Sequence, residues 1–304
     1  MSSTETVLDG IFEYGANRMA KRLITAFVGI AIGVTIVLLH HTMVYPIAVV
    51  AITALSIHEL LTACKCGFKE FPTHYIFCQI FGAAIPLLTW FDNVGDVWRI
   101  FTGCVIVFLM FAGFVTDRKK LSFNKLAMMC TISCFVTLSL NCLISIVKMS
   151  EIHAISYVVM ALAAAWLPDA GGFLIGSALG KHKLCPDISP HKTIEGAIGG
   201  IVVNTIVFAI YATIYRFVMQ SKGIYFDVNY LLLAGVTIFA SVISIFGDLS
   251  ASLIKREYEI KDFGNIFPGH GGMVDRFDSV FFVLPFMMFI YNAFGSYIFM
   301  MNAA

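Results

Sequence analysis

The chain has 304 residues, of which 59% are hydrophobic and 13% are charged. Soluble domains carry about 25% charged residues, so this composition leaves too little polar surface to cover a water-soluble core and excludes that class. The 20 basic and 19 acidic residues give a net charge of +1, which by itself indicates no partner, and nothing in the sequence predicts a nucleic-acid ligand.

Nine apolar runs follow one another along the chain. A helix needs about 17 to 25 residues to cross the hydrocarbon core of a membrane, and these runs reach or approach that length. They cover residues 23–39, 44–63, 75–90, 98–115, 126–147, 155–179, 197–219, 230–254 and 279–300. We therefore predict an all-α, polytopic integral membrane protein with about nine transmembrane helices in the lipid bilayer. About five spans form an N-terminal region, 1–150, and the rest form a C-terminal region, 151–304.

The basic residues between the runs are unevenly distributed. With the N-terminus in the cytoplasm, sixteen of the 20 Lys and Arg residues fall on the cytoplasmic side. The other side receives only Arg99, Lys148, Arg216 and Lys222. Cytoplasmic loops of membrane proteins carry the excess of Lys and Arg, so we predict this orientation, an odd number of spans and a polar site that faces the cytoplasm.

Carboxylates inside the apolar runs are informative, because charge within a membrane is costly and usually marks function. Glu59 lies near the cytoplasmic end of the second run, where a structural and a functional role are equally open. Asp169 follows Pro168 and precedes Gly171 in a run that is too long for one straight crossing. We expect a broken helix here, in which backbone groups without helical hydrogen bonds line a polar cavity. The alternative is a kink whose backbone polar groups all have hydrogen-bond partners.

Residues 180–196, GKHKLCPDISPHKTIEG, form a polar loop before the seventh run. Ser189, Lys192 and Thr193 precede a helix that we expect to begin at about Ala197. Hydroxyl groups, a lysine and free backbone N–H groups at the start of a helix form an anion site. Because any cytoplasmic loop can be basic, this pattern alone is weak support for phosphate binding.

Asp248 lies near the end of the eighth run, ahead of Ser252 and Lys255. Spacings of four and three residues place these side chains on one face of a helix. We expect a single polar stripe that points into the cavity. A merely structural Asp–Lys pair is the alternative interpretation.

The segment from Ser252 to Asp278 is the most polar and most glycine-marked part of the chain. Its basic residues and its carboxylates are Lys255, Arg256, Lys261, Arg276, Asp262, Asp275 and Asp278. Glycines on both sides of His270 predict a sharp turn that lets the backbone approach a ligand closely. Basic groups, backbone donors and paired carboxylates together suit a phosphate-rich ligand that carries a metal.

This segment resembles the signature of the phosphatidate cytidylyltransferases (CDP-diacylglycerol synthases), integral membrane enzymes that condense CTP with phosphatidate. The matching positions are Ser252, Lys255-Arg256, Lys261-Asp262, Pro268, His270-Gly271-Gly272 and Asp275-Arg276-Phe277-Asp278. The family carries a similar Ser-Pro-x-Lys-Thr segment after an Asp-x-Gly, which here extends the resemblance back to Asp169. Residues 1–150 match only as apolar spans with a basic start.

The resemblance implies transfer of a cytidylyl group from CTP to phosphatidate, with pyrophosphate as the second product. Because Mg²⁺ prefers one or two carboxylates plus substrate phosphates, we expect Asp248 and Asp275 to be its ligands. Asp278 could bind a second cation or orient Arg276. The candidate catalytic residues are Lys192, Lys255, Arg256, Lys261, Asp262, His270, Arg276 and Asp278. The candidate CTP-binding residues are Ser189, Lys192, Thr193, Ser252, Gly271, Gly272 and Asp169.

Two other functions are compatible with parts of the pattern. A CTP-dependent lipid kinase would transfer the γ-phosphoryl group, and a transporter for an anionic solute would also use charged groups within broken helices. The long signature argues against the first, and the clustering of charge at one face argues against the second. The compact length favours a bacterial inner membrane. The sequence leaves the oligomeric state open, a homodimer included.

Overall fold

The computed structural model describes residue 25 and residues 27–91, 95–116, 120–267, 269 and 271–301. The expected turn residue Pro268 and the candidate catalytic residue His270 lie outside these ranges. The helices are α1 (Phe27–Leu38), α2 (Val44–Ala63), α3 (Pro72–Trp90), α4 (Asp96–Thr116), α5 (Phe123–Met149), α6 (Ala154–Leu179), α7 (Ile194–Ser221), α8 (Tyr230–Glu257), α9 (Val274–Phe277) and α10 (Val280–Ile298).

Within the described ranges, six helices are long and apolar enough to cross a membrane: α2, α4, α5, α6, α7 and α8. The protein is therefore mainly helical and membrane-embedded. Each of the nine predicted runs contains a helix, but nine crossings and their orientation stay a prediction. Two small antiparallel ribbons were not expected: β1 (Lys183–Cys185) with β2 (Ser189–Thr193), and β3 (Phe226–Val228) with β4 (Phe299–Met301).

The buried side chains of α2, α5, α6, α8 and α10 form one continuous hydrophobic core. Tyr45 of α2 donates a hydrogen bond to the carbonyl of Leu143 in α5 at 3.1 Å. Tyr157 of α6 stacks on Tyr291 of α10, with ring centroids 4.2 Å apart. The N-terminal helices therefore pack directly against the helices that carry the predicted catalytic motifs.

The expected break at Asp169 is wrong. α6 is continuous through Pro168 and Asp169. Proline is tolerated within membrane helices that pack against neighbouring helices. α6 packs closely on α7, because small residues let the two backbones approach. A Cβ added at Gly200 would overlap the carbonyl oxygen of Pro168 and lie 3.1 Å from the backbone nitrogen of Gly172. The Asp169 side chain reaches the polar cavity from an intact helix.

We expect Gly200→Ala to destabilise the protein by about 1–3 kcal/mol, because the added methyl group must separate two closely packed helices. Gly235→Ala is the matched control, since a Cβ at Gly235 of α8 would meet nothing within 4 Å. Thermal unfolding of both variants in detergent measures the difference. Equal melting temperatures would contradict the close contact between α6 and α7.

Candidate active site

A cavity of about 790 Å³ lies between α6, α7, α8 and the segment around α9. Its volume falls in the range of small-molecule sites, about 300–1,000 Å³. The predicted residues that line it are Asp169, Ser189, Lys192, Thr193, Asp248, Asp275, Arg276 and Asp278. The two separate sequence motifs, one ending at Thr193 and the other at Asp278, therefore meet in one cavity.

Lys192 occupies the centre of the carboxylate cluster. Its Nζ lies 3.1 Å from Oδ1 of Asp169 and forms an ion pair with Oδ2 of Asp248. Burial by itself would lower the pKa of Lys192, but the charges of Asp169 and Asp248 outweigh it and raise that pKa. Lys192 is therefore a permanent cation inside the cavity, able to hold an anionic ligand.

Asp278 is a buried carboxylate between α9 and α10 that also lines the cavity. Its Oδ1 accepts a hydrogen bond from the N–H of Ser279 at 2.7 Å. Burial, followed by the nearby charge of Asp248, raises the pKa of Asp278 to about 7. Because burial and nearby negative charge oppose ionisation of Asp278, a cation bound beside it would favour its ionised form.

Asp275 has both carboxylate oxygens engaged. Oδ1 pairs with Nζ of Lys255 at 3.0 Å, and the two side chains are 5% and 18% exposed. Oδ2 accepts the N–H groups of Phe263 at 2.8 Å and Gly272 at 2.9 Å. Asp275 therefore ties the end of α8 to the glycine-rich turn, and its assignment as a metal ligand stays a prediction.

Phe267 and Gly271 lie close together on the two sides of the predicted turn. Phe267 donates its N–H to the carbonyl of Gly271 at 2.9 Å. Gly271 has a φ of +83°, a conformation that side chains other than hydrogen disfavour, and a Cβ there would lie 2.9 Å from Oδ2 of Asp275. The N–H of Gly272 is bonded to Asp275, so its role as a phosphate donor also stays a prediction.

The loop before α7 is a short hairpin made of β1 and β2. Glu195 closes its base by accepting the N–H of Lys181 at 3.1 Å and bonding Nδ1 of His182 at 2.6 Å. The hydroxyl of Thr193 caps α7 by accepting the N–H of Gly196 at 3.1 Å. The hairpin thereby presents Ser189 and Lys192 to the cavity, while Thr193 contributes mainly to the helix start.

The other predicted residues are not among those that line the described cavity. Ser252 is half-buried on α8, and Lys261 and Asp262 are exposed. Arg256 donates from Nε to the carbonyl of Ile188 at 3.4 Å, which links the end of α8 to the hairpin.

Three residues that contact the site were not predicted from the sequence or were left undecided. Ser279 donates to Oδ2 of Asp169 at 3.3 Å, joining the two motifs. Trp166 lines the cavity and donates from Nε1 to the carbonyl of Arg276 at 3.0 Å. Glu59 accepts hydrogen bonds from the backbone at the start of α9. Glu59 had a sequence signal as a carboxylate within an apolar run, Ser279 had only its position beside Asp278, and Trp166 had none.

Among the described residues, no three His, Cys, Asp or Glu side chains form a ready-made metal site. Mg²⁺ does not require one, because it commonly uses one or two carboxylates together with substrate phosphates and waters. The carboxylates of Asp248 and Asp278 both line the cavity and would supply such ligands. The donor set therefore fits Mg²⁺.

Comparison with known proteins agrees with this geometry. A family model described as the cytidylyltransferase family matches residues 20–294. A Bacillus subtilis (strain 168) protein named phosphatidate cytidylyltransferase is 31% identical over 251 residues, which are 83% of this chain and 90% of that protein. A protein of the same name from Staphylococcus aureus (strain COL) is 44% identical over 135 residues, 44% of this chain and 48% of that protein. Because the family model covers most of the chain, the chain belongs to the cytidylyltransferase family.

Proposed function

We propose that the protein transfers the cytidylyl group of CTP to phosphatidate, giving CDP-diacylglycerol and pyrophosphate for phospholipid synthesis. The observation that carries this proposal is the meeting of the two motifs in one cavity, where Lys192 contacts both Asp169 and Asp248. The relatives named phosphatidate cytidylyltransferase support the same reaction. The bacterial relatives support a location in a bacterial inner membrane, and the distribution of Lys and Arg predicts that the cavity faces the cytoplasm.

In the proposed reaction, a phosphate oxygen of phosphatidate attacks the α-phosphorus of CTP. A new P–O bond forms, the bond between the α-phosphorus and the bridging oxygen breaks, and that oxygen leaves with pyrophosphate. Phosphatidate is largely ionised near neutral pH, so no general base is needed. The protein therefore contributes positioning and electrostatic stabilisation, as is usual for transfer at phosphorus.

The described side chains divide this work between them. Lys192, held between Asp169 and Asp248, and Arg276 at the cavity wall would neutralise the triphosphate. Asp248 and Asp278 would hold Mg²⁺, and Asp278 is favoured over Asp275 because both oxygens of Asp275 already bind Lys255 and backbone N–H groups. When bound, Mg²⁺ supplies charge neutralisation at the phosphates.

The test is a product assay with CTP labelled separately at the α- and γ-phosphate, using purified protein, phosphatidate and Mg²⁺ in detergent. We expect the α-label in lipid and the γ-label in pyrophosphate. Entry of the γ-label into lipid would identify a kinase and contradict the proposal. Failure of both labels to move, with protein shown to be folded, would favour the transporter and would be followed by flux assays.

A further inference from the structure

Glu59 is a buried carboxylate that reaches the active-site loop from the N-terminal helices. It lies in α2, and its side chain is 3% exposed. Its Oε1 accepts the N–H of Met273 at 2.9 Å, and its Oε2 accepts the N–H of Val274 at 2.8 Å. α9 begins at Val274. A residue of α2 therefore binds the backbone at the start of the helix that carries Asp275 and Arg276.

These two N–H groups need an acceptor from outside α9. The first N–H groups of a helix have no carbonyl partner within it, and the N-cap residue Met273 supplies no side-chain hydrogen bond. Glu59, which lies 214 positions before Met273 in the sequence, provides the acceptor. Asp275 accepts the preceding N–H, that of Gly272. Two carboxylates thus hold three consecutive backbone amides.

Two glycines of the signature segment make room for Glu59. A Cβ added at Gly264 or at Gly272 would overlap the Glu59 carboxylate. The loop can therefore wrap closely around the carboxylate only because both positions lack a side chain. The shape of the loop and the presence of Glu59 depend on each other.

We propose that Glu59 is a positioning residue for the active site. It holds the start of α9 so that Asp275, Arg276 and Asp278 keep their places at the cavity wall. This inference rests on the proposed function, because it assigns Glu59 a role in that reaction. A displacement of about 1 Å at a reacting centre can lower turnover by about 100-fold, so a loosened α9 is expected to act mainly on kcat.

Glu59→Gln is the main test variant, because it keeps the size of the side chain but replaces one acceptor oxygen by an NH₂ group. We expect kcat to fall by about 100-fold while KM for CTP changes by less than about tenfold. Hydrogen–deuterium exchange in detergent should become faster in residues 271–277 and stay unchanged in α6 and α7. Glu59→Asp keeps the charge with a shorter reach and should give an intermediate loss.

Glu70→Gln is the matched control, since Glu70 is exposed in the connection after α2 and its loss should change neither kcat nor exchange. A merely structural Glu59 would reduce the yield of folded protein but leave kcat per folded molecule unchanged. That result, wild-type exchange in residues 271–277, or failure of both Glu59 variants to fold would each overturn the proposal. Hydrogen–deuterium exchange is measured without substrate, so it tests the contact between Glu59 and the start of α9 even if the protein is inactive. An inactive wild-type protein would refute only the proposed reaction.

Discussion

Asp248→Asn is expected to lower turnover by about 10²–10³-fold, the size of effect seen when one preorganised electrostatic group is removed from an active site. Asp248 lines the cavity and forms an ion pair with Lys192. The amide removes the negative charge that we assign to Mg²⁺ binding. Lys192 keeps its contact with Asp169 at 3.1 Å, so we expect the variant to remain folded. The measurement is transfer of α-labelled CTP into lipid.

A magnesium titration separates the two roles that Asp248 could have. If it binds the metal, the variant should need a higher Mg²⁺ concentration for half-maximal rate; if it only orients Lys192, that concentration should not change. Asp227→Asn is the control. Asp227 lies in β3, is 46% exposed and forms an ion pair with Arg216 of α7, and neither residue lines the cavity. Activity of Asp248→Asn within a few-fold of wild type would remove Asp248 from the metal site.

Asp275→Ala is expected both to abolish turnover and to destabilise the protein by about 3–5 kcal/mol, because it leaves the Lys255 charge without its buried partner. The same change removes the acceptor for the N–H groups of Phe263 and Gly272. Thermal unfolding in detergent and the lipid-transfer assay measure the two effects. This expectation differs from that for a pure metal ligand, whose loss would stop turnover without lowering the melting temperature.

The double variant Lys255→Met with Asp275→Ala provides the control for the charge effect. Because no unpaired charge remains, its loss of stability should be smaller than the sum of the two single losses. Additive losses would mean that Lys255 and Asp275 do not interact as the 3.0 Å contact indicates. An inactive Asp275→Ala protein with a wild-type melting temperature would restore the first expectation, in which Asp275 binds Mg²⁺.

Much of this protein could be predicted from local sequence. Apolar runs locate the helices because a membrane span needs a fixed length of apolar side chains, and each predicted run contains a described helix. Charged residues inside those runs indicated the site, because charge within a membrane is costly and usually functional. Asp169 and Asp248 both line the cavity. The motif around Asp275 and Asp278 indicated the family, which the comparison confirmed.

Tertiary structure decided which of these groups touch. α6 is unbroken at Pro168, as a proline within a packed membrane helix can be, and it packs closely against α7, a neighbour that no local pattern contains. The sequence predicted Asp275 as a Mg²⁺ ligand, whereas in the structure its oxygens contact Lys255 and two backbone N–H groups.

Glu59 shows most clearly that contacts between distant residues cannot be predicted from local sequence. Its sequence position allowed a structural or a functional role equally, while its backbone partners lie 214 and 215 positions away. Amino-acid sequence by itself determined the membrane class and the helices, because hydrophobicity acts on each residue where it stands, and its motifs indicated the family. Only tertiary structure decided the partner of each carboxylate, because those contacts depend on how distant helices pack together.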